Sequence, residues 1–231
     1  MANVLGQAIH DYYHRLSPGK LWIHNEFGKP DEMPIDVYFR DEEDMPEMEL
    51  IALQYCKGST LDVGAGAGSH ALLLQEKNVP VTALEISPLA VALIKKRGVK
   101  HIVLQNIFDY TGERFDTILM LMNGIGLCAT ISGLHRLLQH AKTLLQPNGQ
   151  LLFDSSDVGY LYRKKPRPLD RYYGEINFKY EYKKQKTPWF SWLYVDQQTL
   201  TGIALQEGFK TEVLFEDDHD QYLVRLTLLQ Q

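Results

Sequence analysis

The chain contains little cysteine and no long hydrophobic run. Cys56 and Cys128 are the two cysteines among 231 residues, too few for a disulfide framework. No apolar run approaches the ~20 residues that a membrane-spanning helix needs. The amino terminus also lacks the charged region and apolar core of a secretion signal. We therefore expect a cytoplasmic protein with no membrane partner.

Acidic residues outnumber basic ones, and the charge is unevenly distributed along the chain. The net charge of -5 argues against general adhesion to nucleic acid. Segment 26–49 holds ten acidic residues and two basic ones, whereas segment 160–186 holds nine basic residues and three acidic ones. This asymmetry predicts either two solvated surfaces or two segments that attract each other.

The sequence LDVGAGAGS at 61–69 is a short apolar run that ends in alternating glycines. Such glycines let the backbone turn sharply and approach a ligand without interference from a Cβ atom. The dinucleotide fingerprint requires its third glycine at position 69, but here it is Gly68. Asp62, just before the turn, would repel a pyrophosphate and attract a ligand that carries an ammonium and a sulfonium. That description fits S-adenosylmethionine (SAM).

With this motif, the sequence resembles the class I SAM-dependent methyltransferases. Their first motif is an acid, one further residue and then glycines at alternate positions, as in Asp62, Gly64, Gly66 and Gly68. The resemblance covers about residues 59–156. It continues through four further segments in register: 81–85, 103–108, 115–122 and 145–153.

The resemblance implies SAM as the cofactor and S-adenosylhomocysteine (SAH) as the product. Glu85, at the end of the second strand, would accept hydrogen bonds from both ribose hydroxyls. Asn106, where the family more usually has Asp, would meet the adenine amine, and Ile107 the ring face. The residues so assigned to the cofactor are Asp62, Gly64, Ala65, Gly66, Gly68, Glu85, Ile86, Asn106, Ile107 and Met122.

Alternating strand and helix patterns predict an α/β fold, a doubly wound, mostly parallel sheet. The resemblance implies seven strands in the order 3-2-1-4-5-7-6, with the last strand antiparallel. We assign residues 58–156 and 196–231 to this SAM-binding, Rossmann-like domain. Residues 1–57 form an amino-terminal helical extension that caps the cofactor, and residues 157–195 form an insertion after the fifth strand.

The insertion at 157–195 holds eleven of the chain's 25 aromatic residues. Alternation over 175–183 predicts a half-buried strand, with 189–194 as its antiparallel partner. We interpret this β-hairpin as a substrate lid over the carboxyl ends of the parallel strands. A packing hairpin or a homodimer contact is the alternative.

The methyl acceptor is expected beside the ends of the first, fourth and fifth strands. The residues there that are candidates to touch it are Asn123, Gly124, Asp154, Ser155 and Asp157. Of these, Asn123 and Asp157 are the candidates for a catalytic role. A dedicated base is optional for a neutral amine or a thiolate, because positioning and desolvation supply most of the acceleration. His70, after the glycine turn, either reaches the site or is structural.

The sequence lacks the motifs that three kinds of methyltransferase chemistry require. Methylation of exocyclic amines in DNA bases requires Asp or Asn followed by two prolines and an aromatic residue, but the chain has NGIG at 123–126. Cytosine C5 chemistry requires a cysteine after proline, but Cys128 follows Leu127 and is expected to be buried. The eight histidines show no metal-binding spacing, so no metal site is predicted.

Three functions remain from different classes. The first is methyl transfer to a small-molecule acceptor by in-line displacement. The second is an RNA or protein methyltransferase, because arginines, lysines and tyrosines are mixed over 160–173, a composition that suits single-stranded nucleic acid. The third is a non-catalytic SAM-binding module.

Overall fold

The computed structural model describes residues 3–229, which form two β-sheets and six α-helices. The helices are α1 Val4–Tyr13, α2 Glu47–Tyr55, α3 Ser69–Glu76, α4 Pro88–Arg97, α5 Ile131–Leu144 and α6 Gln197–Gln206. The strands are β1 Leu21–Asn25, β2 Asp31–Met33, β3 Thr60–Val63, β4 Val81–Glu85, β5 His101–Leu104, β6 Phe115–Met120, β7 Leu145–Ser156, β8 Glu175–Tyr182, β9 Gln185–Lys186, β10 Phe190–Leu193, β11 Phe209–Glu216 and β12 Gln221–Leu228. Within this part of the chain, no helix has the length and apolar character needed to cross a membrane.

The larger sheet has seven strands in the order β5-β4-β3-β6-β7-β12-β11. Counted along the chain within this sheet, that order is 3-2-1-4-5-7-6. Strands β3 to β7 pair in parallel, and β12 is antiparallel to both of its neighbours. Every residue of β3 is buried, as expected of a central parallel strand covered on both faces. The predicted fold class is confirmed.

The helix boundaries follow local capping signals. The Ser87 hydroxyl accepts a backbone hydrogen bond at the start of α4, Pro88 is the first helical residue, and Gly98 ends the helix with φ +104°. Asp196 likewise caps α6 by accepting from the Thr199 backbone N–H at 2.9 Å. These short-range contacts set both ends of α4 and the start of α6.

The amino-terminal extension contains more than the predicted helices. Between α1 and α2 the chain forms β1 and β2, which join the insertion in a second sheet of order β10-β8-β1-β2, with β9 paired to β8. Residues 21–25 pair with residues 178–182. The sequence does not indicate these strands, because β1 is short and its hydrogen-bonding partner is distant along the chain.

The oppositely charged segments 26–49 and 160–186 touch each other. Arg171 Nη2 lies 2.6 Å from Glu26 Oε2, and Lys165 lies over the Phe27 ring, 3.8 Å from its centroid. Both contacts connect the start of the insertion to the turn between β1 and β2. Attraction between the two segments, one of the two alternatives, is therefore present in the structure.

A buried carboxylate ties α1 to the second sheet. Asp11 is 4% exposed and accepts hydrogen bonds from Gln7 Nε2 at 2.6 Å, Tyr182 Oη at 3.1 Å and Lys183 Nζ at 2.6 Å. Burial raises the pKa of Asp11, but these three donors outweigh it and hold the pKa below its ordinary value. The ionised carboxylate thus holds α1 against β8.

We expect Asp11→Ala to lower the free energy of unfolding by about 2 kcal/mol, because it leaves the buried Tyr182 hydroxyl without its acceptor. The matched control is Glu32→Ala, which removes an exposed ion pair with Lys20 and should cost under about 1 kcal/mol. Urea denaturation of the three proteins measures the difference. Equal losses in the two variants would contradict this role of Asp11.

Candidate active site

The glycine turn after β3 forms the floor of a cavity. Gly64 and Gly66 have φ values of +74° and +59°, in the left-handed region that favours glycine. Gly68 also has a positive φ, and a Cβ atom there would lie 3.2 Å from Ile94 of α4. Gly68 therefore caps α3 and allows it to pack closely on α4, while the other two glycines present backbone to the cavity.

This cavity, here called the active-site cavity, has a volume of about 350 Å³. It lies at the carboxyl ends of β3, β4 and β6. Seven of the ten predicted cofactor residues line it: Asp62, Gly64, Ala65, Gly66, Glu85, Ile86 and Met122. The acceptor candidates Asn123 and Gly124 also line it. The structure thus brings the predicted donor and acceptor residues into one space.

Gly68, Asn106 and Ile107 do not line this cavity. Asn106 is exposed, and its Oδ1 accepts a hydrogen bond from the Phe108 backbone N–H at 3.0 Å. Ile107 is 5% exposed and packs in the main hydrophobic core. A contact of Asn106 or Ile107 with the adenine ring stays a prediction.

Asp157 lies at the start of the insertion, just after β7. It does not line the active-site cavity, and its Oδ1 accepts hydrogen bonds from the Gly159 backbone N–H at 2.8 Å and from Tyr173 Oη at 2.7 Å. Both donors belong to the insertion itself. These two contacts hold the first turn of the insertion, and a catalytic role for Asp157 stays a prediction.

Asp62 presents an unpartnered oxygen in the cavity wall. The residue is 2% exposed, and Oδ2 has no hydrogen-bond partner among the described residues. Burial raises the pKa of Asp62 to about 6; the nearby Glu85 carboxylate adds to this rise, and the charge of His70 opposes it. A buried carboxylate of this kind favours a cationic ligand.

Glu85 holds the glycine turn from the end of β4. Its Oε2 accepts from the Gly66 backbone N–H at 3.0 Å, and its Oε1 accepts from the N–H groups of Ile86 and Ser87, both at 2.8 Å. Burial raises the pKa of Glu85 despite these donors. The two bonds to Oε1 occupy its lone pairs, whereas Oε2 retains one lone pair for a further hydrogen bond.

A buried ionic cluster completes the polar wall; it contains His70, which lines the cavity, and two residues that the sequence did not identify, Arg40 and Glu49. Glu49 of α2 is 4% exposed and lies 2.5 Å from Arg40 Nη2 and 2.8 Å from His70 Nε2. Burial opposes the charged form of His70, but the hydrogen bond to Glu49 and the charge of Asp62 outweigh it and raise its pKa. The sequence contained one signal for this cluster: the acidic Glu49 lies on the same side of a predicted helix as the apolar residues Met48 and Ala52.

The second sheet supplies an apolar wall opposite these acids. Phe178 lies opposite Phe190 in the register, and Ile23 lies opposite Tyr180, so their side chains share one face. The side chains of this sheet that line the active-site cavity are Ile23, Met33, Phe178, Tyr180, Phe190 and Trp192. The predicted hairpin is present, and its aromatic face meets the predicted cofactor site.

Two hydrogen bonds fasten this wall to the loop after β6. Trp192 Nε1 donates to the Asn123 carbonyl, and Asn123 Nδ2 donates to the Leu193 carbonyl, both at 3.2 Å. The Asn123 backbone N–H donates to Asp154 Oδ2 at 2.7 Å. The side-chain oxygen of Asn123 is buried and has no partner among the described residues, so it is free to accept from a ligand.

Asp154 and Ser155 lie behind the cavity rather than on its surface. Burial raises the pKa of Asp154 to about 7, against the opposing hydrogen bond from Asn123. The Ser155 hydroxyl accepts from the Val195 backbone N–H at 3.0 Å and is 1% exposed. Asp154 positions Asn123, and Ser155 secures the end of the insertion.

A family model described as a methyltransferase domain matches residues 23–212. A solved structure of a SAM-dependent methyltransferase from Bacteroides fragilis, in complex with SAH, is 43% identical in sequence. The alignment covers 99% of this chain and 95% of that one, with a TM-score of 0.91. The chain belongs to the SAM-dependent methyltransferase family. The resemblance drawn from the glycine motif is therefore confirmed, and SAM is the methyl donor.

More distant structures share the fold of this methyltransferase. A SAM-dependent methyltransferase from Clostridium acetobutylicum is 11% identical, with a TM-score of 0.61 over 81% of this chain and 94% of that one. The sugar N-methyltransferase KedS8 from Streptoalloteichus is 15% identical, with a TM-score of 0.57 over 89% of this chain and 96% of that one. Comparison with curated protein sequences gives no match.

Proposed function

We propose that this methyltransferase transfers the methyl group of SAM to a small molecule held between the Asp62 wall and the second sheet. The observation that carries the proposal is the aromatic face over a cavity of about 350 Å³. That volume lies at the lower end of the range for small-molecule sites. The insertion then acts as a lid that keeps water from the reacting atoms.

The residues present fit SAM, which supplies a methyl group activated on a sulfonium. The unpartnered Oδ2 of Asp62 suits the cationic groups of the donor, and the remaining lone pair on Oε2 of Glu85 suits a ribose hydroxyl. Arg40 and His70 are the cationic side chains that line the cavity, and they suit the methionine carboxylate. Each of these assignments matches the charge or hydrogen-bonding capacity of a side chain to one group of SAM.

The charge of the cavity favours a small acceptor over RNA. None of the nine basic residues of segment 160–186 lines the active-site cavity. Arg40 and His70 both contact Glu49, which offsets their charge. A phosphate-rich acceptor would therefore meet carboxylates and aromatic rings, which do not compensate its charge.

Asn123 is the residue we assign to positioning the acceptor. In an in-line displacement, a lone pair of the acceptor forms the new bond to the methyl carbon while the carbon–sulfur bond breaks and its electrons pass to sulfur. The buried Asn123 Oδ1 accepts a hydrogen bond from an N–H or O–H of the acceptor and orients that lone pair. Because an amide does not take up the proton, this role suits a neutral amine that loses its proton to water.

The proposal is tested with SAM that carries a tritiated methyl group. The methyltransferase is incubated with the small-molecule, RNA and protein fractions of one cell extract. We expect label in the small-molecule fraction alone. Label that enters RNA or protein instead would overturn the small-molecule proposal and favour the alternative class.

We also expect the affinity for SAH to fall about tenfold between pH 7 and pH 5. With a pKa of about 6, Asp62 is mostly ionised at pH 7 and mostly protonated at pH 5, so the binding-competent form becomes scarce. Titration calorimetry across this range measures the change. Asp62→Asn should bind SAH weakly at pH 7 and vary less with pH. The same pH dependence in both proteins would exclude Asp62 as its source.

A further inference from the structure

A second cavity of about 650 Å³ adjoins the active-site cavity. Phe178 of β8 and Tyr194, just after β10, line both cavities, and their ring centroids are 6.2 Å apart. These two rings form a shared wall. A molecule with its reactive end in the active-site cavity and its remaining part in the second cavity would pass along these two rings.

The second cavity combines aromatic rings with polar groups. Its aromatic side includes Phe27 and Tyr160 together with the two shared rings. Its polar side includes Asn25, Arg163, Asp218, Asp220 and Gln221. The acids belong to the exposed turn between β11 and β12, so this side opens to solvent.

The charged groups of this cavity are free to bind a ligand. Within residues 3–229, the side chains of Arg163, Asp218 and Asp220 make no ion pair or hydrogen bond. Asp217, which precedes them, holds the turn, because its Oδ1 accepts from the backbone N–H groups of His219 and Gln221 at 2.8 and 3.0 Å. The side chains of Asp218 and Asp220 make no hydrogen bond within the turn, to which Asp220 contributes its backbone carbonyl as the acceptor for the Asp157 N–H.

Free charges of both signs in one cavity select for a particular chemistry. A multiply charged anion would meet two carboxylates, and a multiply charged cation would meet a guanidinium. A neutral ring with several hydroxyls donates hydrogen bonds to the carboxylates and accepts them from the guanidinium and amide groups. Its apolar face packs on the aromatic side chains.

We propose that the second cavity binds a neutral, polyhydroxylated ring, such as a sugar, that forms the non-reacting part of the methyl acceptor. The inference rests on the proposed function, because it extends the acceptor from the active-site cavity past Phe178 and Tyr194. Binding at a distance from the reacting atom then orients the acceptor for transfer.

The probes are methyl glycosides of glucose, galactose and rhamnose, with inorganic phosphate and spermidine as charged comparators. Binding to the SAH-saturated methyltransferase is followed by NMR titration. We expect at least one glycoside to bind and the double variant Asp218→Asn, Asp220→Asn to weaken it about tenfold. Asp220 has φ +59°, a conformation that asparagine also tolerates, so the variant preserves the turn.

The matched control neutralises two exposed acids outside both cavities, Glu76→Gln and Glu113→Gln, and should leave glycoside binding unchanged. Failure of every glycoside to bind, or equal weakening in the control, would overturn the inference. Phosphate or spermidine binding that depends on Asp218 and Asp220, without glycoside binding, would also overturn it.

The extract assay keeps the two proposals apart. Small-molecule labelling without glycoside binding would overturn the second-cavity inference alone. Glycoside binding with label found in RNA or protein would overturn the proposed function instead.

Discussion

Replacing Glu85 with alanine should lower the affinity of the methyltransferase for SAH by roughly ten- to hundredfold. A hydrogen bond to a charged group contributes about 1.5–3 kcal/mol, and the variant loses the one that we propose between Glu85 Oε2 and the ribose. It also removes the acceptor for the backbone N–H groups of Gly66, Ile86 and Ser87, so the glycine turn loses its support. Titration calorimetry with SAH at pH 7.5 measures the loss.

Two variants separate a contact with the ligand from general damage. Glu76→Ala changes an exposed acid at the end of α3 and should bind SAH as the unaltered protein does. Glu85→Gln keeps one acceptor oxygen and should fall between the other two proteins. Affinity that is unchanged in Glu85→Ala would remove this residue from the proposed cofactor site.

Replacing Trp192 with alanine should slow methyl transfer by about a hundredfold. The indole ring lines the active-site cavity and donates a hydrogen bond to the Asn123 carbonyl, so its removal admits water and releases the positioning loop. The packing there is close, because a Cβ atom on Gly126 would overlap the indole. The affinity for SAH should change by less than about threefold, since the donor residues lie on the opposite wall.

Trp189 provides the matched control within the same hairpin. Its side chain is 53% exposed and does not line the cavity, so Trp189→Ala should keep most of the activity. Transfer of tritiated methyl to the small-molecule fraction compares the variants at equal SAM saturation. A similar loss in both would mean that the hairpin acts through stability alone.

The central sheet and the glycine turn are predictable because their signals are local. The acid and alternating glycines at 62–68 occupy one turn, and Ser87, Gly98 and Asp196 cap helices through neighbours within a few residues. The buried strands of the sheet are short apolar runs between such signals. Local signals of this kind can be recognised in the sequence without knowledge of the tertiary structure.

The parts that escaped prediction depend on partners far apart along the chain. The contact of Glu49 with His70 joins α2 to α3, and nothing near either residue identifies its partner. Strand β1 becomes a strand because β8 pairs with it. The hydrogen bond from Tyr173 to Asp157 likewise joins residues that are 16 positions apart, and the place of Asp157 after β7 does not predict it.

The second sheet is built from two separate parts of the chain, the amino-terminal extension and the insertion, and this limits how acceptor preference can be redesigned. Five residue pairs between β1 and β8 join two segments that are more than 150 residues apart in the sequence, residues 21–25 and 178–182. If the insertion of a relative replaced residues 157–195, its strand would have to pair with the β1 of this chain in place of its own partner strand. Because we propose that the second sheet binds the acceptor, a transplant of acceptor selectivity would have to move β1 and β2 together with β8 and β10. The glycine turn and Glu85, which we propose to bind the donor, would stay in place.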